Sequence, residues 1–144
     1  MRVIALLALS LPLLSACVSV HVDPVPAEVM GEMHRVCIER NPRVLLLDLV
    51  PALQDGFRRH GIETAVYDAP VPTDCQFVLT YTARQAWDIV SYLKSVQLVL
   101  LAGGRMVGTA DYRHGGGASS KWASTSAKIS PLVDELLSQT PATR

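Results

Sequence analysis

His114-Gly115-Gly116-Gly117-Ala118-Ser119 is the stretch whose residue types come nearest to a reactive constellation. The N–H groups of a glycine run can converge on a developing oxyanion, a histidine can serve as base, and a serine hydroxyl can attack. Acyl transfer is the chemistry such a string would perform. Its supporting parts are missing. A serine nucleophile of the α/β-hydrolase type needs a G-x-S-x-G elbow between strand and helix, and that pentapeptide occurs nowhere in the sequence. The three glycines are better explained as a connection that lets the chain leave a last strand and turn toward a final helix. With His114 and Trp122 they form a candidate contact loop for a partner, not a catalytic site.

Other chemistries are excluded on spacing. Lys121 does not follow the G-x-x-x-x-G of a phosphate loop. His21, His34, His60 and His114 stand singly, with no i, i+4 pair, and the cysteines lack further ligands at a metal-binding spacing. No metal and no cofactor is expected. Trp87 and Trp122 are expected to pack in the core or along a sheet edge; exposed, either would mark a contact site.

The three cysteines carry more information. Met1-Arg2 is followed by an uncharged, Leu/Ala-rich run from Val3 to Leu14, too short for a membrane-spanning helix of about 20 residues but suited to the apolar region of a secretory signal. Leu14-Ser15-Ala16-Cys17 then resembles the lipobox of bacterial lipoproteins. That resemblance implies cleavage after residue 16, thioether-linked diacylglycerol on Cys17 and an acyl chain, such as palmitate, on the new amino terminus. Two or more chains hold a protein on a bilayer stably, at roughly 0.8 kcal/mol per buried CH₂. Val18 stands where an aspartate commonly signals inner-membrane retention, so the expected address is the outer membrane, facing the periplasm.

With Cys17 assigned to lipid, Cys37 and Cys75 remain as an even pair in an oxidising compartment. A bridge is the expectation, worth roughly 4 kcal/mol at most by loop-closure entropy, and it requires Cα atoms within about 7 Å. The alternative is two buried free thiols. The whole chain has 144 residues and a formal net charge of zero, which becomes −1 once Arg2 leaves with the signal. Arg58-Arg59 is its densest basic spot, so nucleic acid is not an expected partner.

The elements that must position these residues follow from periodicity. Residues 17–33, with Pro24, Pro26 and Gly31, read as a lipidated, flexible tether. A first strand is expected over 34–40. Asp48 is the expected N-cap of a helix whose Leu49, Leu53 and Phe57 form an apolar stripe. Pro51 falls in its first turn, Arg58, Arg59 and His60 in its last, and Gly61 ends it. Residues 62–67 and 76–83 read as strands, the second alternating well and running on past Arg84 before a bend near 88–91. Ser95 to Leu101 and Arg105 to Tyr112 read as a hairpin. A three-residue loop, 102–104, pairs Leu100 with Met106, Leu98 with Gly108 and Val96 with Ala110, keeping one face apolar. Gly108 and Ala110 there leave room for a closely approaching helix. Ile129, Leu132, Val133, Leu136 and Leu137 define that helix, starting between Ser124 and Pro131. The expected architecture is one α+β domain over 34–138, β-α-β-β-β-β-α, a mainly antiparallel sheet with two amphipathic helices on one face, and a frayed tail over 139–144.

CIE (37–39), NP (41–42), GFRRHGI (56–62), LTYTA (79–83), WD (87–88), YL (92–93), KWASTSAKI (121–129) and DELL (134–137) together resemble the Sbal-type proteobacterial lipoproteins. The resemblance spans nearly all of the mature domain and is most distinctive in KW-x-ST-x-x-KI. It implies a lipid-anchored envelope protein and brings no catalytic residue. Three functions are then in play. The first is a non-catalytic binding or scaffold domain engaging another envelope protein. The second is a module for a small lipid or glycan fragment, which needs an apolar pocket between sheet and helices lined by Trp87 or Trp122. The third, a hydrolase using His114 and Ser119, needs those two side chains within hydrogen-bonding reach.

Overall fold

The structure, a computed structural model, describes residues 18–116 and 121–139. Nine elements follow one another: β1 (Val18–Asp23), α1 (Ala27–Glu32), β2 (Arg35–Glu39), α2 (Leu49–Arg59), β3 (Glu63–Tyr67), β4 (Phe77–Asp88), β5 (Val90–Ala102), β6 (Arg105–His114) and α3 (Thr125–Leu136). The strands make a single sheet in the order β1-β6-β5-β4-β2-β3. The pairs β1/β6, β6/β5 and β5/β4 are antiparallel, whereas β2 runs parallel to both β4 and β3. The α+β class and the mainly antiparallel sheet agree with expectation; the element count does not. The stretch expected to be a flexible tether contains a strand and a short helix. Its Val25 and Met33 are each 2% exposed and belong to the core.

Helix α2 connects the parallel strands β2 and β3 and lays its apolar stripe on the sheet, with Leu49, Leu53 and Phe57 fully buried. Its end is a Schellman motif: Ile62 N–H donates to Phe57 O (3.1 Å) and Gly61 N–H to Arg58 O (3.0 Å), with Gly61 at φ +73°. Its start departs from expectation. Asp48 occupies the N-cap position in a helical conformation and its side chain caps nothing. Helix α3 begins at the earliest of its expected starts, where the Ser124 hydroxyl accepts from Ala127 N–H at 3.1 Å. Pro131 therefore lies inside the helix rather than in its first turn.

The core lies between the helices and one sheet face, where Ile38, Leu79, Leu98 and Leu100 meet Phe57, Ile129, Leu132 and Leu136. Two glycines set the closeness of packing. A Cβ on Gly56 of α2 would stand 2.9 Å from Val133 of α3, and one on Gly108 of β6 would stand 2.8 Å from Val25 and 3.0 Å from Leu136. The β5–β6 register corrects the expected one. Ala102 pairs with Arg105 across a two-residue Gly103-Gly104 turn, and a bulge next to Leu100/Leu101 then shifts the ladder to Leu100↔Gly108, Leu98↔Ala110 and Val96↔Tyr112. One extra residue on β6 restores apolar-to-apolar pairing that a short turn alone would have broken.

Cys37 of β2 and Cys75, ahead of β4, form a disulfide with Cα atoms 6.1 Å apart. It ties the loop entering β4 to the strand beside it.

Candidate functional site

Strands β4 and β5 are the longest in the sheet, and they outrun their neighbours at one end. The last β5–β6 pair is Ser95↔Arg113, but β4 and β5 stay paired from Gln85↔Leu93 to Asp88↔Val90. Val90 to Lys94 thus carries the hairpin roughly 15 Å past the body of the sheet, at about 3.3 Å per residue. The single residue between the strands is Ile89, at φ +66°. A β-branched side chain in the left-handed region is a genuine outlier, since its Cβ crowds the following carbonyl. Glycine or asparagine would hold this turn at lower cost, yet isoleucine occupies it and is 77% exposed. Trp87, 75% exposed, flanks it with Val90 on the projecting tip.

At the base of the projection an aromatic and cationic cluster forms between β5, β6 and the segment entering α3. The rings of Tyr92 and His114 meet edge to face, 5.8 Å apart. Lys121 stands over both Tyr92 (5.3 Å) and Trp122 (5.2 Å) and forms an ion pair with Asp88. Lys128 is buried; its Nζ donates to Leu93 O (3.2 Å) and Lys121 O (3.1 Å) and lies 5.5 Å from the Tyr92 ring. Burial pushes its pKa below the ordinary lysine value. Two main-chain carbonyls and an aromatic face hold the ammonium, so Lys128 fixes the 121–124 segment against β5. An open depression of about 550 Å³, lined by Asp88, Tyr92, Lys94, His114, Gly115 and Trp122, lies in front of this cluster.

The expected contact-loop residues His114, Gly115, Gly116 and Trp122 therefore gather at one end of the sheet. Gly115 and Gly116 are exposed there, Trp122 is half exposed and His114 is buried. Gly117, Ser119 and Cys17 lie outside the described residues. Neither tryptophan packs in the core, one of the two placements expected; Trp87 is exposed and Trp122 half exposed, the condition that marks a contact site. Tyr92, Lys128 and Ile89 were not singled out by sequence. Lys128 had a legible signal, since it falls on the α3 stripe of Thr125, Ile129, Leu132 and Leu136, where an unpaired charge would be costly.

The rest of the surface offers less. A wider concavity, about 1250 Å³, lies on the sheet face turned away from the helices, lined among others by Arg84, Lys94, Gln97, Asp111 and Arg113. Its lining mixes polar and apolar surface in nearly equal parts. Arg59 and His60 at the end of α2 both reach Asp134 of α3, at 2.9 and 2.8 Å, and Arg58 pairs with Asp55. The basic run of α2 is thus engaged within the fold. Among the described residues no group of three or more His, Cys, Asp or Glu side chains could hold a metal. Among them also, no helix is long and apolar enough to cross a membrane.

No protein-family model matches the chain, and no curated protein is significantly similar to it. Solved structures share its fold, PelC assemblies among them. A PelC variant from Paraburkholderia phytofirmans, a dodecamer, superposes with a TM-score of 0.60 at 15% identity, covering 86% of this chain and 100% of that one. A second PelC dodecamer from the same organism gives 0.55 at 14% identity, covering 82% and 95%. At these identities the likeness is one of fold.

Proposed function

We propose that this chain is a lipid-anchored cell-envelope lipoprotein, cleaved before Cys17 and acylated there, whose α+β domain faces the periplasm as a non-catalytic binding or scaffold unit for another envelope protein. The observation that carries the reading is the Cys37–Cys75 bridge, which fits an exported protein and stands beside the Leu14-Ser15-Ala16-Cys17 sequence. The engagement of His114 with Tyr92 supports a packing role for that histidine. The dodecameric state of the PelC structures supports a scaffold that assembles from copies of itself. Intact-mass analysis of protein extracted from cell membranes tests the anchor. Acyl chains on Cys17 and loss of membrane association in Cys17→Ser are expected; an uncleaved, unmodified start in the soluble fraction overturns it. Native mass spectrometry of the acylated protein in detergent reads the assembly, and a strict monomer at micromolar concentration removes that part.

A second reading, a module for a small envelope ligand, rests on the open sheet face. Its Arg84, Lys94 and Arg113 outnumber the one carboxylate of Asp111, which suits an anionic glycan or lipid fragment rather than an apolar one. Calorimetric titration with anionic and neutral glycans discriminates, with salt-sensitive heat only from the anionic set as the supporting result.

A further inference from the structure

Strand β1 leaves no slack between the proposed anchor and the domain. Val18, the residue after Cys17, is already paired with His114 at the end of β6, and pairing continues to Asp23↔Thr109. The chain thus enters the sheet at Val18, one peptide bond after the proposed acylation site. The end at which it is held is decisive. His114 is one residue beyond Arg113, the partner of Ser95, and the β4–β5 projection begins just past Ser95. The anchor and the hairpin tip therefore leave the sheet at the same end and point the same way.

Resting on the anchored-lipoprotein reading, we propose that Trp87, Ile89 and Val90 of the hairpin tip, with Trp122 at the base of the projection, insert into the interfacial layer of the bilayer that holds the Cys17 acyl chains. The chemistry suits that layer. Three exposed apolar side chains cap a narrow projection, and tryptophan favours the headgroup level, where an apolar ring and a polar N–H are both satisfied. The tip reaches farther than Val18 by roughly 15 Å along the strand direction, and a tilted hairpin places it at the 5–10 Å depth of interfacial segments. Lys94 and Lys121 line the depression that adjoins it, two cations suited to anionic headgroups, with Lys121 paired to Asp88. The strained Ile89 fits the same purpose: a turn-favouring glycine would leave the apex without an apolar side chain. The insertion adds a second point of attachment and so fixes the orientation, with the strands pointing at the membrane and the β5–β6 turn at Gly103-Gly104 pointing away.

The chain has two tryptophans, so Trp87→Phe and Trp122→Phe each leave one reporter. The full acylated protein is reconstituted into vesicles of phosphatidylethanolamine and phosphatidylglycerol, with lipids brominated at shallow or deep acyl positions. Flotation reads anchoring and fluorescence reads insertion. Expected are a blue shift and quenching of both reporters, strongest with shallow bromines, and loss of Trp87 quenching in Ile89→Asp while that variant still floats with native near-ultraviolet circular dichroism. Protein that floats with both tryptophans unquenched overturns the inference and leaves the anchor standing. The same holds if quenching survives Ile89→Asp unchanged. Protein that does not float and carries no acyl mass on Cys17 overturns both.

Discussion

Tyr112 presents a buried hydroxyl with no hydrogen-bond partner among the described residues, and burial pushes its pKa above the ordinary phenol value. An orphaned buried hydroxyl costs about 1–3 kcal/mol of desolvation, which its removal recovers. Tyr112→Phe is therefore expected to be neutral or stabilising by up to about 1 kcal/mol in urea denaturation; a clear loss of stability would show a partner for the hydroxyl. Asp134 is the opposite case. Burial tends to raise its pKa, but the hydrogen bonds and positive charges of His60 and Arg59 prevail and hold it below the ordinary 3.8. A carboxylate depressed in the folded state stabilises fully above its unfolded pKa and loses that contribution as pH falls through the folded one. Asp134→Asn is expected to cost about 0.5–1 kcal/mol at neutral pH, because the pair is half exposed. The difference from the parent protein should shrink as pH falls from the unfolded carboxylate pKa through the depressed folded one, as followed by denaturation midpoints across acid pH.

At the level of elements, close approach matters more than propensity. Gly108 admits Val25 on one side and Leu136 on the other, so the N-terminal segment and α3 share one notch in β6. Val25 N–H also donates to Leu136 O at 2.9 Å. Gly108→Ala would press a methyl to within 2.8 Å of Val25, and a loss of about 1–3 kcal/mol is expected from overpacking. Thermal unfolding checks it, with an unchanged midpoint as the contrary result. The notch was legible in the sequence as a small residue on an apolar strand face, and so was the α3 stripe that fills it. β1 was less legible. Val18, Val20 and Val22 alternate with Ser19, His21 and Asp23, a strand signal, but a short strand has no standing until a partner edge exists, and β6 lies far along the chain.

Across the whole molecule the disulfide joins what topology separates. β2 and β4 are parallel neighbours joined through α2 and β3, and the bridge closes a loop with a sequence separation of 38 between its ends. Reduction, or Cys75→Ser, is expected to lower unfolding free energy by about 3–4 kcal/mol, with most of the effect on the unfolded chain. Equal midpoints with and without reductant would contradict that.

Composition and apolar periodicity by themselves determined an α+β fold, the two long amphipathic helices and the strands of the central hairpins, and the count of cysteines together with the export reading favoured pairing Cys37 with Cys75. Each depends on short-range pattern or on counting, which a sequence displays directly. Only the tertiary structure decided the strand order, the parallel placement of β2, the bulge that reset β5 against β6, and the meeting of the hairpin tip with Val18 at one end of the sheet. Those depend on which edges and faces are buried together, a property of the assembled chain rather than of any segment.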